Sequence, residues 1–139
     1  MIAGLFIRHY KIYQGLYFIP VSSDYRNRYS VYVGNNGVGK SSIFEALNTF
    51  FNNAYWNKNK DGKNDETFIA PLFLIEKNHI KSEMKLNKET IDYLEFLSTY
   101  FWESSSDIHI NLKTDEFKKF FTFRDELKDY YKPDDYYLF

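Results

Sequence analysis

The sequence predicts an α/β lobe built around a phosphate-binding loop, and three adjoining stretches carry that expectation. Residues 33–42 read Val-Gly-Asn-Asn-Gly-Val-Gly-Lys-Ser-Ser, the form G-x-x-x-x-G-K-S. Tyr29 to Val33 reads as a buried strand entering the loop, and Ser42 to Phe51 after it carries Ile43, Phe44, Ala46, Leu47, Phe50 and Phe51 at helical spacing. A triphosphate wrapped by backbone needs N–H donors close to its oxygens, and side chains there would block the approach. Gly34 lets the chain leave the strand, Gly37 and Gly39 tolerate positive φ and close contact, and the helix points its positive end at the anion. Asn35, Asn36 and Val38 complete the loop. Lys40 is expected on the β- and γ-phosphates, Ser41 on Mg²⁺ bridging the same two phosphates, and Ser42 on the α-phosphate side.

The other elements follow from period and punctuation. Residues 3–21 alternate apolar and polar around Gln14-Gly15, which predicts an antiparallel hairpin with Leu5, Ile7, Leu16, Phe18 and Ile19 as core positions and Pro20 closing its second strand. Residues 22–28 form a polar loop. Residues 51–66, with Asn57 to Asp65 low in apolar content and rich in turn formers, read as a mobile, solvated insertion. Residues 67–77 predict a strand bent or placed at an edge by Pro71. A helix over about Lys88 to Glu103 presents Ile91, Leu94, Leu97, Tyr100 and Phe101 on one side, and Ile108 to Leu112 alternates as a half-buried strand. The last helix, about Asp115 to Tyr131, carries a stripe of Phe117, Phe120, Phe121, Phe123, Leu127 and Tyr130, aromatic enough to suggest a face packed on a partner lobe. The apolar end Tyr136-Tyr137-Leu138-Phe139 reads as a cut within a larger fold. The predicted architecture is a mixed sheet with antiparallel first strands, the loop's helix beneath it and a helical and strand segment over 88–139 at one side. The nucleotide sits beyond the carboxyl end of the Tyr29 to Val33 strand.

Gly34-Asn35-Asn36-Gly37-Val38-Gly39-Lys40-Ser41-Ser42-Ile43-Phe44-Glu45-Ala46-Leu47 resembles the signature G-x-N-G-x-G-K-S-S-[IL]-[LF]-[ED]-A-[IL] of ATPase heads in the SMC, RecF and OLD-nuclease branch of the ABC-type ATPases, with Asn36 at that signature's asparagine. Those heads open on an apolar strand and a segment like N-F-[RK]-S-[FH]; Ile7 to Tyr13 stands at the corresponding distance, with His9 in place of the asparagine, Ile12 in place of the serine, and Lys11 at the basic position. The resemblance covers roughly residues 3–51 and implies MgATP at the loop, a nucleotide contact from Lys11, a homodimer closed through nucleotide, and work on nucleic acid in repair, chromosome handling or defence against phage.

Such heads also use an apolar strand ending in Asp-Glu, where Asp holds the magnesium shell and Glu orients water, and a signature motif over the partner's γ-phosphate. Neither is present: no four-residue apolar run is followed by Asp-Glu, and the last glycine is Gly62. The nearest imitation, Leu72-Phe73-Leu74-Ile75-Glu76, makes Glu76 the one candidate metal-shell carboxylate, against the commoner reading of a buried strand that ends at a charged residue. The expectation is therefore a single N-terminal lobe over 1–139 that does not turn over ATP alone, with its C-terminal lobe supplied by another stretch or chain.

Composition narrows the rest. A net charge of −1 gives no broad basic field, so nucleic-acid contacts belong to a local patch or to the absent part. No apolar run approaches the ~20 residues that span a bilayer and the start lacks a signal-peptide layout, so the expected setting is cytoplasmic. Zero cysteines exclude disulfides and thiolate chemistry, and the three scattered histidines have no metal spacing. Two other readings stay open: a non-catalytic fragment that binds a partner, and a different P-loop enzyme. The second is weakened because Asn57-Lys58-Asn59-Lys60 lacks the aspartate of a guanine motif.

Overall fold

Alternation of apolar and polar residues along the first twenty positions produces a hairpin, β1 (Ile2–Tyr10) and β2 (Tyr13–Pro20), in a computed structural model that describes residues 1–24, 26, 30–37, 39–60, 62, 66–104 and 115–139. Its turn is Lys11-Ile12, not Gln14-Gly15. Tyr10 pairs with Tyr13, Lys11 adopts φ +50°, and His9, also at φ +50°, marks a register irregularity between Arg8 and Tyr10. Burial of Tyr10 and Tyr13 outweighs the turn preference of Gln-Gly, and Gly15 instead lies within β2 and donates its N–H to His9 Nδ1 at 3.2 Å. Of the expected core positions Leu5, Ile7 and Phe18 are buried, while Leu16 and Ile19 are half-buried.

Chain order continues with α1 (Lys40–Asn52), β3 (Phe68–Glu76), α2 (Lys77–Glu83), α3 (Lys88–Glu103), α4 (Asp115–Lys128) and β4 (Tyr136–Leu138). The strands lie in the order β2-β1-β3-β4, every pairing antiparallel among the described residues. The expected mixed sheet is corrected accordingly, because residues 30–33 do not join it. Pro71 sits opposite Leu5 in an internal strand rather than an edge one. Its missing N–H is still harmless: Phe73, two residues on, turns its N–H and C=O to Phe139, so Pro71 faces the same side beyond the β4 pairing.

Two packed faces result from the period of two along β1 and β3. Leu5, Ile7, Tyr10 and Ile69 meet Ile43 and Ala46 of α1 on one face. On the other, Ala3, Phe18, Leu72 and Leu74 meet Trp102 of α3 and Phe120, Phe123 and Leu127 of α4. The aromatic stripe of α4, expected to await a partner lobe, is thus largely satisfied by the chain's own sheet; Tyr130 alone of the six stays exposed. Glu116 at the start of α4 accepts the Phe18 N–H at 2.8 Å, which occupies a donor on the β2 edge. The expected 108–112 strand lies outside the described residues.

Helix α3 begins at Asn87, whose side chain accepts the Thr90 N–H at 2.8 Å, and matches the predicted span. Its buried residues are Ser98 and Trp102, with the predicted Ile91, Leu94, Leu97 and Phe101 half-buried and Tyr100 exposed. The helix holds β4 by polar contacts: Leu138 N–H donates to Ser98 Oγ at 3.0 Å and Trp102 Nε1 to the Tyr136 carbonyl at 3.0 Å. Tyr137 donates its hydroxyl to Glu95 at 3.1 Å, beside Lys77 at 2.5 Å from the same carboxylate. The apolar chain end is therefore a sheet strand with Tyr137 and Leu138 fully buried. Burial and the Glu95 contact push the Tyr137 hydroxyl up to about 12. Glu95 itself is opposed by burial, but hydrogen bonds from Lys77 and Tyr137 with the lysine charges hold its carboxyl below the ordinary value.

Within the expected insertion over 51–66, residues 57–59 contact the hairpin. Asn53 ends α1 in the left-handed region at φ +49° and the chain turns back. Lys11 N–H then donates to the Asn57 carbonyl at 2.8 Å, Asn59 N–H to the His9 carbonyl at 2.8 Å, and Tyr10 bridges Lys58. No helix of the described residues is long and apolar enough to cross a membrane.

Leu127→Ala should cost about 2–5 kcal/mol in urea unfolding, as a buried cavity does, whereas Phe96→Ala, 66 % exposed on α3, should stay within about 0.5 kcal/mol. Tyr137 has a folded value raised from 10.0 to about 12, so its share of stability is complete below pH 10 and lost as pH rises towards 12. Roughly 2–3 kcal/mol should disappear over that window, and Tyr137→Phe should remove that part of the alkaline fall in a denaturation series.

Candidate nucleotide-binding site

The loop is set by the way α1 sits on the sheet. Ile43 and Ala46 anchor the helix on Leu5, Ile7 and Ile69, and its first residue follows directly on Gly39, which caps it at φ +93°. A side chain on Gly39 would be strained by the positive φ and would displace the side-chain ends of Ile12 and Tyr13, since a Cβ would stand 2.7 Å from Ile12 Cδ1 and 2.8 Å from the Tyr13 hydroxyl. Tyr13 completes the seat by donating to the Gly39 carbonyl at 3.3 Å. Burial, with the neighbouring Tyr32 and Tyr17, raises the Tyr13 hydroxyl above its ordinary value, keeping it a neutral donor. Gly37 turns the loop at φ +87°.

No side chain caps α1 and no carboxylate lies in its first turn, so the positive end of the helix faces the loop. Gly34, Asn35, Asn36 and Gly37 are exposed, and Val38 lies outside the described residues. Lys40 folds its ammonium into the arc of the loop, donating to the Gly34 carbonyl at 2.5 Å and the Asn35 carbonyl at 2.7 Å. Ser41 is exposed on the outer surface of the helix and Ser42 is buried on the sheet side.

The approach to the loop differs from the expected buried strand. Val31 and Val33 are 82 % and 91 % exposed, while Tyr32 turns inward, rings edge-on with Phe44 at 5.8 Å and donates to the Pro20 carbonyl at 3.3 Å. Ser30 adds a bond to the Val21 carbonyl at 2.6 Å. The alternation of a strand persists here without a strand neighbour among the described residues, and Tyr29 lies outside them.

Lys11 is engaged by its own chain. The ammonium pairs with the Glu45 carboxylate, and the Lys11 carbonyl accepts Asn59 Nδ2 at 2.5 Å. Glu45 is four residues past Ser41, so both lie on one helix face and Lys11 stands beside the Ser41 position. Sequence reasoning missed this partner, although the spacing from Ser41 was a usable signal; the Tyr13 seat under Gly39 left none. Glu76 does not join the site. It lies exposed at the far end of β3, whose other end pairs Phe68 with Arg8 near the hairpin turn, and nine strand residues span about 26 Å. No group of three His, Asp or Glu side chains among the described residues could hold a metal ion.

These observations fit a triphosphate with magnesium: an uncapped helix end, a loop seat whose positive φ favours glycine, an ammonium in the loop and an exposed hydroxyl at Ser41. Lys40 and the first N–H groups of α1 would bind phosphate oxygens, and Ser41 would ligate the metal, which neutralises phosphate charge. The class this defines is an α/β chain with a glycine loop leading into a helix. A family model described as an AAA ATPase domain matches residues 1–138, and the chain belongs to that family, which implies nucleotide and magnesium binding. No curated protein and no solved structure matches the chain.

Gly39→Ala should destabilise the fold by about 1–3 kcal/mol in urea unfolding, from left-handed strain and the clash with Ile12 and Tyr13. Stability equal to the parent would mean that the loop does not rest on the hairpin.

Proposed function

We propose that this chain is the ATP-binding N-terminal lobe of an ATPase head of the SMC, RecF and OLD kind. MgATP at Gly34 to Ser42 joins two heads, and hydrolysis in the complete assembly releases them to work on nucleic acid in the cytoplasm. The observation that carries this reading is the direct passage from the loop into α1 at Gly39, with Lys40 across the loop and the helix end uncapped. Asn36, Glu45 and Ala46 at the signature positions favour this branch, and the AAA ATPase family agrees with its ATPase core.

A second lobe is part of the reading. Val31 and Val33 keep strand alternation with their side chains in solvent, and Phe44, Phe50 and Phe51 leave the outer surface of α1 apolar and open. A lobe bringing a parallel strand and the Asp-Glu carboxylates would cover that surface and supply the water-orienting group. The absence of Asp-Glu after any apolar run, and the distance of Glu76 from the loop, favour an inactive isolated chain; a non-catalytic binding fragment is the reading that remains if nucleotide does not bind.

Calorimetric titration of MgATP and MgGTP into the purified chain tests the reading. Saturable ATP binding without strong preference over GTP is expected, and Lys40→Ala should weaken it by about 2–5 kcal/mol. Unchanged affinity in the variant would remove the loop as the site.

A further inference from the structure

We propose that the outer face of α3 is a docking surface for an amphipathic helix of a partner protein, one with an apolar seam and lysine or arginine beside it. On that face Tyr93, Phe96 and Tyr100 are 59 %, 66 % and 43 % exposed, and neither packed core includes them. The contacts that seat α3 lie on its opposite side, where Ser98 and Trp102 are buried and hold β4. The inference makes no use of the nucleotide loop.

Spacing gives the face its form. Glu89, Tyr93, Phe96, Tyr100 and Glu103 follow one another at intervals of four, three, four and three residues, the seam pattern of helices that pair side by side. All five are exposed and fall on one stripe, about 21 Å long at the rise of an α-helix. Aromatic side chains fill its middle and a carboxylate stands at each end, with the exposed Asp92 beside it. The carboxylate of α3 that is held in an ion pair is Glu95, by Lys77 on the β4 side; among the described residues no lysine or arginine pairs with Glu89, Asp92 or Glu103.

Charge decides which helix fits. A second copy of α3 would set Glu89 against Glu103 when antiparallel, and each glutamate against its own counterpart when parallel, so like charges meet at both ends. Self-pairing is disfavoured either way. A partner helix packs its apolar seam between Tyr93, Phe96 and Tyr100, while lysine or arginine beside that seam reaches the carboxylates and the aromatic faces. One helix face is smaller than the ~800 Å² per partner of a standard interface, so the contact is of the transient, salt-sensitive kind.

Two fluorescent synthetic peptides, each of three heptads with leucine on the seam, test this: one carries lysine beside the seam and the other glutamate. Titration into the full chain should give saturable binding of the lysine peptide and about 10-fold weaker binding of the glutamate peptide. Tyr93→Ala combined with Phe96→Ala should weaken the lysine peptide about 10-fold, with urea unfolding close to the parent. Glu89→Lys combined with Glu103→Lys should reverse the preference, a gain of binding that a misfolded variant would not show. Equal binding of the two peptides, binding of neither, or unchanged affinity in the aromatic variant would overturn the proposal. Self-association of the parent in sedimentation that Phe96→Ala abolishes would overturn it too, by making the face a contact between copies of this chain.

Discussion

The seating of α1 on the sheet is the constraint on which the site depends. Ile43 and Ala46 fill the face made by Leu5, Ile7 and Ile69, and this packing fixes the axis of the helix. The hairpin turn then meets the helix start through the side chains of Ile12 and Tyr13, close against Gly39. Apolar burial sets the direction of the helix, and the side chains of the hairpin turn set where its positive end stops. Electrostatics could do little here without that placement, because the field of a helix terminus fades within its first turn.

The same arrangement already holds its cations. Lys40 lies on two loop carbonyls and Lys11 on the Glu45 carboxylate, so an incoming anion exchanges partners with these groups rather than meeting bare charges. For Lys40 the exchange is favourable, since a carbonyl dipole is a weaker acceptor than a phosphate oxygen. For Lys11 it is closer to balanced, a carboxylate being charged as well. The two lysines therefore differ in role: one belongs to the loop, while the other is coupled to the helix surface beside Ser41.

Large apolar side chains stay open on both faces, among them Tyr93, Phe96, Tyr100 and Tyr130 on the α3 and α4 side. The aromatic residues of α4 close the core with Trp102, Phe18 and Leu72, and polar ties from Ser98, Trp102 and Glu95 secure β4. On the α1 side Phe44, Phe50, Phe51, Val31 and Val33 stay in solvent.

Sequence by itself determined the loop, the helices α1, α3 and α4, the hairpin strands and β3, because glycine spacing, helical period and strict alternation are local properties of the chain. It offered Glu76 both as the charged end of a strand and as the one candidate metal-shell carboxylate, and the structure places it at the end of β3 away from the hairpin turn. Only the tertiary structure decided that the turn is Lys11-Ile12, that Pro71 is tolerated inside the sheet, that α2 and β4 form, and that Val31 and Val33 lack a strand neighbour among the described residues. It also paired Lys11 with Glu45 and brought Tyr55 round to the hairpin turn. Each of these depends on which surfaces meet across long sequence separations: a strand's partner, a lysine's counter-ion and a proline's open side are settled by packing energies that no local window contains.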